Sequence, residues 1–129
     1  MARILIVEDN PDNMKLFRAL LAMKGHVVTG LWSGDGLLAE LSAHPPDLVL
    51  MDIQLPGRDG FELLTEIRRS PFSKLKVVAL TAHAMSGDRE KAENAGFDEY
   101  ITKPIDISSF ADLVARTLAT NPDEQRGGG

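Results

Sequence analysis

Three short, unbroken apolar runs constrain the fold of this chain more than any other feature. They cover residues 4–7, 48–51 and 77–80, are rich in branched aliphatic side chains, and are bounded by polar or turn-forming residues. Runs of this length and composition are typical of strands buried on both faces of a parallel sheet. Two weaker runs, at residues 27–29 and 100–101, are short and lie near charged residues, which predicts strands closer to the sheet edges.

Segments with helical periodicity alternate with these runs. Asn10 and Pro11 predict the start of the first helix, because an N-cap side chain accepts one orphan N–H and proline removes another. Gly25 predicts its end. Two helices show a clear apolar face, formed by Met14, Phe17, Leu20 and Leu21 in the first helix and by Phe110, Leu113, Val114, Thr117 and Leu118 in the last.

Three further helices are predicted between the remaining strands. They cover residues 34–42, with Ser33 as the N-cap, residues 61–69 and residues 86–95. The apolar face of the last of these consists only of alanines, so we expect it to dock weakly. The alternation predicts a doubly wound (βα)5 α/β fold, a three-layer sandwich. Periodicity does not determine the strand order, but the flavodoxin-like parallel sheet of order 2-1-3-4-5 is one of the common arrangements that right-handed crossovers allow, and it is the one that we expect.

Length, composition and charge limit the possible functions. The 129 residues suffice for one domain, expected over residues 1–120, followed by a disordered tail over 121–129. The formal net charge of -5 opposes nucleic-acid binding, which depends on lysine and arginine. The absence of cysteine excludes disulfides and thiolate metal sites and suits a cytoplasmic protein. No stretch is long enough for membrane insertion.

Polar side chains follow the predicted strands, at the sheet edge where open parallel sheets bind their ligands. Glu8 and Asp9 follow the first strand, Asp52 the third, Thr81 the fourth and Lys103 the fifth. If the first and third strands are neighbours, three carboxylates meet there, and their repulsion requires a cation. Hard oxygen ligands without histidine or cysteine favour Mg²⁺, with Mn²⁺ or Ca²⁺ as substitutes, and Mg²⁺ completes its shell with phosphate oxygens.

Each of these residues also has an ordinary structural explanation when it is taken alone. Asp9 and Asp52 could shape loops and stabilise helix N-termini. Thr81 could cap the next turn, and Lys103 could be an exposed lysine that precedes a helix. The combination of all five positions favours the phosphoryl site.

Four groups of residues together resemble response-regulator receiver domains. They are Glu8-Asp9, the run at 48–56 with Gly60 beyond it, Thr81-Ala82, and the run at 100–104. The resemblance spans about residues 2–118. Details at residues 7–10, 13–17 and 81–85 are most similar to the single-domain DivK-type regulators of cell division and cell fate.

The resemblance implies that Asp52 is the phosphoacceptor. A carboxylate can act as a nucleophile and form a covalent aspartyl phosphate. The resemblance further implies that Asp9, Asp52 and the Gln54 backbone carbonyl bind Mg²⁺, and that Glu8 assists directly or through water. The protein would then be a signalling phosphoacceptor that catalyses only its own phosphoryl transfer and slow dephosphorylation.

Five residues receive further roles from the resemblance. Lys103 would pair with a phosphoryl oxygen, and Thr81 would donate its hydroxyl to the phosphoryl group. Thr81 moves inward on phosphorylation in this family, while an aromatic residue on the fifth strand, here Tyr100, changes from exposed to buried. Gln54 and His83 would tune the lifetime of the phosphoryl group. The readout surface would be the predicted helix at 86–95, the fifth strand and the last helix.

The implied partners are a sensor histidine kinase or a histidine phosphotransfer protein as the phosphoryl donor, and a downstream protein effector. We expect a monomer or a weak dimer. Three alternatives remain: an aspartate-nucleophile phosphatase, a flavin mononucleotide binder and an inactive receiver-like scaffold. Gln54 disfavours the phosphatase, which commonly has a second aspartate at that position, and the acidic loop after the first strand disfavours a flavin phosphate.

Overall fold

The computed structural model describes residues 2–55, 57–82 and 87–120. Within these ranges five strands alternate with five helices, as predicted. The elements are β1 (Arg3–Val7), α1 (Pro11–Ala22), β2 (Val27–Leu31), α2 (Leu37–Ala43), β3 (Leu48–Asp52), α3 (Gly60–Arg68), β4 (Lys76–Thr81), α4 (Asp88–Ala95), β5 (Glu99–Thr102) and α5 (Ile107–Ala119).

The five strands form one parallel sheet of order β2-β1-β3-β4-β5, which confirms the predicted flavodoxin-like topology. β1 pairs with β3 in a register that joins Ile4 to Leu48, and β3 pairs with β4 in a register that joins Asp52 to Leu80. β2 and β5 occupy the edges, as predicted from their weak apolar runs. All strands point the same way, so their carboxyl ends share one rim.

The core consists of two apolar layers, one on each face of the sheet. Alternate residues of β1, β3 and β4 point to opposite faces, as the two-residue period of a strand requires. Helices α2, α3 and α4 cover one face, and α1 and α5 cover the other. β3 is buried along its whole length, so its last residue delivers a carboxylate to a sheltered position.

Helix α1 begins where the sequence predicted. The Asn10 side chain accepts hydrogen bonds from the N–H groups of Asp12 and Asn13, and Pro11 occupies the first turn. The helix ends at Ala22, before the predicted stop at Gly25. Gly25 instead has a φ of 86° and supplies the left-handed residue of the turn into β2.

The predicted start of α2 is wrong. The helix begins at Leu37 rather than at residue 34, and its N-cap is Gly36, not Ser33. Gly36 has a φ of 78°, which is incompatible with a helix interior, so the residues before it form a turn. The Ser33 hydroxyl accepts the N–H of Asp35 within this turn.

Two predicted segments lie partly or wholly outside the described residues. Helix α4 is present over Asp88–Ala95, whereas the first residue of the predicted segment, Ser86, is outside the described ranges, as is the predicted tail at 121–129. Ala92 is the buried residue of α4, which agrees with the expected weak apolar face. Among the described helices none combines the length and the apolar character that crossing a membrane requires.

Candidate functional site

Three carboxylates meet at the carboxyl ends of β1 and β3. One oxygen from each of Glu8, Asp9 and Asp52 lies within 4.8 Å of the others. Glu8 is fully buried and Asp52 is 3% exposed, whereas Asp9 is exposed. The pairing of β1 with β3 produces this arrangement, and the predicted convergence is confirmed.

Lys103 extends into the same cluster from the end of β5. Its Nζ lies 2.9 Å from Asp52 Oδ2 and 3.1 Å from Glu8 Oε1, and its side chain is 13% exposed. The backbone N–H of Lys103 donates to the Thr81 carbonyl at 2.7 Å, which fixes the end of β5 beside the end of β4. The peptide bond between Lys103 and Pro104 is cis. The ammonium therefore contacts two of the three carboxylates, and the cluster carries excess negative charge when all four groups are ionised.

This environment shifts the pKa of two groups. Burial raises the pKa of Glu8, and the charge of Asp52 adds to this effect, although the Asn10 N–H and Lys103 oppose it. Burial alone would lower the pKa of Lys103, but its hydrogen bonds to Asp52 and Glu8 and their charges outweigh burial and raise it. Lys103 therefore remains a cation at any physiological pH, and Glu8 holds a proton more tightly than an exposed glutamate does.

A cleft of about 510 Å³ opens beside the carboxylates. The carboxylate cluster offers hard oxygen ligands, and no histidine or cysteine belongs to it among the described residues. Excess negative charge, oxygen ligands and an open side at Asp9 fit a hard divalent cation such as Mg²⁺. The cleft is lined by Glu8, Asp9, Asn10, Asn13, Ala82, Lys103 and Pro104.

Gln54 contacts the site through both its backbone and its side chain. Its N–H donates to Asp52 Oδ1 at 2.8 Å, while Lys103 holds the other oxygen of Asp52. Its side-chain oxygen accepts the N–H of Ala82 at 3.3 Å and thereby joins the loop after β3 to the end of β4. The predicted metal contact of its backbone carbonyl stays a prediction.

Thr81 and Tyr100, the two predicted switch residues, are in contact. Thr81 is buried at the end of β4, and its side chain hydrogen-bonds to the phenol of Tyr100, which is 5% exposed on β5. Burial raises the pKa of Tyr100, and Asp88 adds to this, whereas Arg89 and the Thr81 hydrogen bond oppose it. The tyrosine therefore occupies the inward position in this structure. His83, predicted to tune the phosphoryl lifetime, lies outside the described residues.

Sequence reasoning missed two contacts. Arg89 on α4 donates to Glu99 Oε1 at 2.9 Å and to the Tyr100 carbonyl at 3.4 Å, and its guanidinium lies 5.3 Å from the centre of the Tyr100 ring. The bond between Gln54 and Ala82 was also unforeseen. The contacts of Arg89 were missed because no sequence spacing relates residues of α4 to residues of β5. The contact of Gln54 was missed because its partner is a backbone N–H, which every residue except proline carries.

Comparisons with known proteins agree with this geometry. Residues 4–115 match the response regulator receiver domain. The polar-differentiation response regulator DivK of Brucella ovis is 40% identical over 116 residues, which cover 89% of this chain and 94% of the relative. The sensor histidine kinase GacS of Pseudomonas protegens is 38% identical over 118 residues, which cover 88% of this chain but only 13% of the kinase.

A solved structure supports the same assignment. The receiver domain of the sensor histidine kinase PA1611 from Pseudomonas aeruginosa, which has a magnesium ion coordinated in its active-site cleft, superimposes with a TM-score of 0.83 at 33% identity. The superposition covers 92% of this chain and 98% of that domain. The chain therefore belongs to the response-regulator receiver family, the two-component signalling domains that are phosphorylated on an aspartate with the help of Mg²⁺.

Proposed function

We propose that Asp52 is the residue that accepts the phosphoryl group. The observation that carries this proposal is the position of Asp52 between the acidic residues Glu8 and Asp9 and the ammonium of Lys103. The arrangement supplies a nucleophile, a set of metal ligands and a cation within one cluster. A structural role for each of these four residues, taken one at a time, does not explain why all four lie together.

The transfer reaction forms one bond and breaks another. An Asp52 oxygen attacks the phosphorus of a phosphohistidine on a sensor histidine kinase or a phosphotransfer protein. The P–N bond breaks, and its electron pair leaves with the imidazole nitrogen, which then takes up a proton. The carboxylate oxygen is the nucleophile in this step.

Asp9, Asp52 and the Gln54 backbone carbonyl would hold Mg²⁺, with Glu8 as a direct or water-mediated partner. The metal supplies positive charge to the oxygens of the transferring phosphoryl group. Lys103 exchanges its contact with Asp52 Oδ2 for one with a phosphoryl oxygen. Its ammonium then compensates part of the negative charge of the phosphoryl group.

The output follows from the residues around Thr81. Its hydroxyl turns from the Tyr100 phenol to the phosphoryl group, and the equilibrium of the Tyr100 side chain and of α4 shifts in response. The α4-β5-α5 surface then presents a different shape to a downstream protein effector. We place the protein in the cytoplasm, as a monomer or weak dimer.

A hydrolytic role on external substrates has less support. The residue two positions after Asp52 is Gln54, whose carboxamide cannot serve as a general acid or base. Its oxygen is engaged by the Ala82 N–H.

Labelling with acetyl phosphate tests the assignment of Asp52. The wild-type chain is incubated with acetyl phosphate and Mg²⁺, and the phosphorylated fraction is measured by phosphate-affinity electrophoresis or intact mass. Asp52→Asn is expected to abolish the label, and removal of Mg²⁺ with EDTA should do the same. Asp35→Asn, which removes an equal charge from an exposed loop, is the matched control and should label as the wild type does.

Two results would contradict the proposal. One is a folded Asp52→Asn variant that labels at the wild-type level. The other is a loss of label in Asp35→Asn equal to that in Asp52→Asn, because general charge would then explain the effect. Thermal unfolding and near-ultraviolet circular dichroism establish that each variant is folded.

A further inference from the structure

We propose that the Gln54 side chain acts as a clasp on the phosphoryl site. In the unphosphorylated protein its carboxamide oxygen occupies the backbone N–H of Ala82, and a phosphoryl group on Asp52 displaces it from there. Gln54 is thus a positioning residue that opposes phosphoryl binding. The inference rests on the proposed role of Asp52.

The strand register places the Ala82 N–H beside the phosphoacceptor. Asp52 pairs with Leu80, and the N–H of Ile53 donates to the Leu80 carbonyl at 3.0 Å. The chain just beyond Leu80 therefore runs alongside the residues just beyond Asp52. Ala82 also lines the cleft that contains Glu8 and Lys103. A phosphoryl group on Asp52 enters this cleft and brings its oxygens next to the Ala82 N–H.

The carboxamide oxygen of Gln54 and a phosphoryl oxygen compete for the backbone N–H of Ala82. A backbone N–H only donates, so Gln54 must present its carboxamide oxygen to Ala82. A phosphoryl oxygen is also an acceptor, and it is charged. The existing bond is 3.3 Å long, beyond the usual range, whereas charge-assisted bonds are shorter and about twice as strong. The phosphoryl group can therefore displace the carboxamide, but it must first break that bond.

A neighbouring pocket offers the displaced side chain a new position. This pocket, of about 210 Å³, is bordered by Gln54 itself and shares no lining residue with the acidic cleft. Its lining includes Asp59 from the start of α3 and Asp88 and Lys91 from α4. Carboxylates accept from a carboxamide NH₂, and an ammonium donates to its oxygen. Movement of Gln54 into this pocket would connect phosphoryl occupancy directly to α4.

Beryllofluoride, a phosphoryl mimic, provides the probe. Its affinity is measured by calorimetry on the full chain in the presence of Mg²⁺ for the wild type, Gln54→Met and Gln54→Glu. Methionine keeps the length of the side chain without a strong acceptor, so beryllofluoride should bind about 2- to 12-fold more tightly, the equivalent of one net hydrogen bond. Glutamate keeps an acceptor and adds negative charge, so it should bind beryllofluoride more weakly than the wild type.

Two further readouts separate the clasp from a purely structural role. The Ala82 amide should exchange with solvent faster in ligand-free Gln54→Met than in the wild type, as observed by NMR. The affinity for Mg²⁺ is also measured without beryllofluoride. It serves as a reference, because both variants retain the backbone carbonyl of residue 54 that is proposed to bind the metal. The ratio of beryllofluoride affinity to Mg²⁺ affinity then isolates the phosphoryl position from the metal.

The possible failures can be distinguished. If the wild type does not bind beryllofluoride with Mg²⁺, or if Asp52→Asn binds it equally well, the proposed function is wrong. If the wild type binds it and Asp52→Asn does not, but Gln54→Met shows the same or a lower ratio, the clasp is wrong. Unchanged exchange at Ala82 in Gln54→Met would also overturn the clasp.

Discussion

Helices α3 and α4 both follow a strand that delivers a site residue, yet they are held in opposite ways. α3 follows β3, which carries Asp52, and buries four residues: Gly60, Leu63, Leu64 and Ile67. Its first turn is capped by the Asp59 carboxylate. α4 follows β4, which carries Thr81, buries Ala92, and starts at Gly87 without a side-chain cap.

Polar contacts replace apolar packing on α4. Arg89 bonds to Glu99 and to the Tyr100 carbonyl, and it also pairs with Glu93 at 3.9 Å. Ion pairs at exposed sites contribute only about 0–1 kcal/mol each, whereas burial of one leucine contributes about 1.5–3 kcal/mol. Helix α4 is therefore held less firmly than α3. We expect α3 to be the fixed support of the site and α4 to be the element that responds.

The largest test of this comparison removes one apolar group from each helix. Leu64→Ala should lower the free energy of unfolding by about 2–5 kcal/mol, because it leaves a cavity in the core. Ala92→Gly on α4 should cost only about 1 kcal/mol, mainly through helix propensity. Urea denaturation measures both values. Equal losses would mean that α4 is anchored as firmly as α3.

A second test crowds the start of α3. A Cβ at Gly60 would lie 2.5 Å from Ile53 Cα, which belongs to the backbone and cannot rotate away. Gly60→Ala should therefore cost about 1–3 kcal/mol and slow labelling by acetyl phosphate, because Ile53 directly follows Asp52. Gly34→Ala is the control, since the atoms nearest to its Cβ belong to the Leu63 side chain and not to the backbone. If both variants lose the same stability, the fixed backbone contact at Gly60 is not the cause.

A third test cuts the polar contacts of α4. Arg89→Gln should lower the free energy of unfolding by no more than about 1 kcal/mol, because its ion pairs are largely exposed. Hydrogen exchange in α4 should nevertheless become faster, while exchange in α3 stays at the wild-type rate. Arg116→Gln on α5 is the matched control. Faster exchange in both α3 and α4 of Arg89→Gln would refute the division between a fixed α3 and a responsive α4.

The smallest expected effect concerns the ionisation of the single tyrosine. The pKa of Tyr100 should lie above its usual value of 10.0, chiefly because of burial, and Arg89→Gln should raise the pKa further. A phenol whose pKa is raised by folding stabilises the protein fully below pH 10, and this stabilisation is lost as the pH rises through the folded pKa. Ultraviolet titration of the phenolate measures the value. A Tyr100 pKa at or below 10 would contradict the inward position.

The sequence predicts most of the site because the fold determines where strand ends meet. Glu8 and Asp52 directly follow an apolar run, and Asp9 and Lys103 come one residue later. A parallel sheet brings such positions to one rim. The runs themselves are unambiguous because the central strands are buried on both faces. Their exact ends were less clear, since Arg3 and Lys76 extend two strands with a charged residue that apolar patterning overlooks.

Features that depend on a single dihedral angle or a backbone group were not predicted. Helix α2 begins later than predicted because Gly36 adopts a positive φ. The sequence does not show which glycine will do so, since it contains other glycines that do not adopt a positive φ. The bond between Gln54 and Ala82 depends on a side-chain rotamer and an N–H, neither of which has a compositional signal. The contact of Arg89 with Tyr100 depends on how α4 lies against β5.

The ion pair between Lys103 and Glu8 joins residues 95 positions apart. During synthesis, Asp52 leaves the ribosome well before Lys103, so a nascent chain exposes the acidic residues without the ammonium that faces them. The cluster of carboxylates and ammonium is therefore completed late, when the last strand docks.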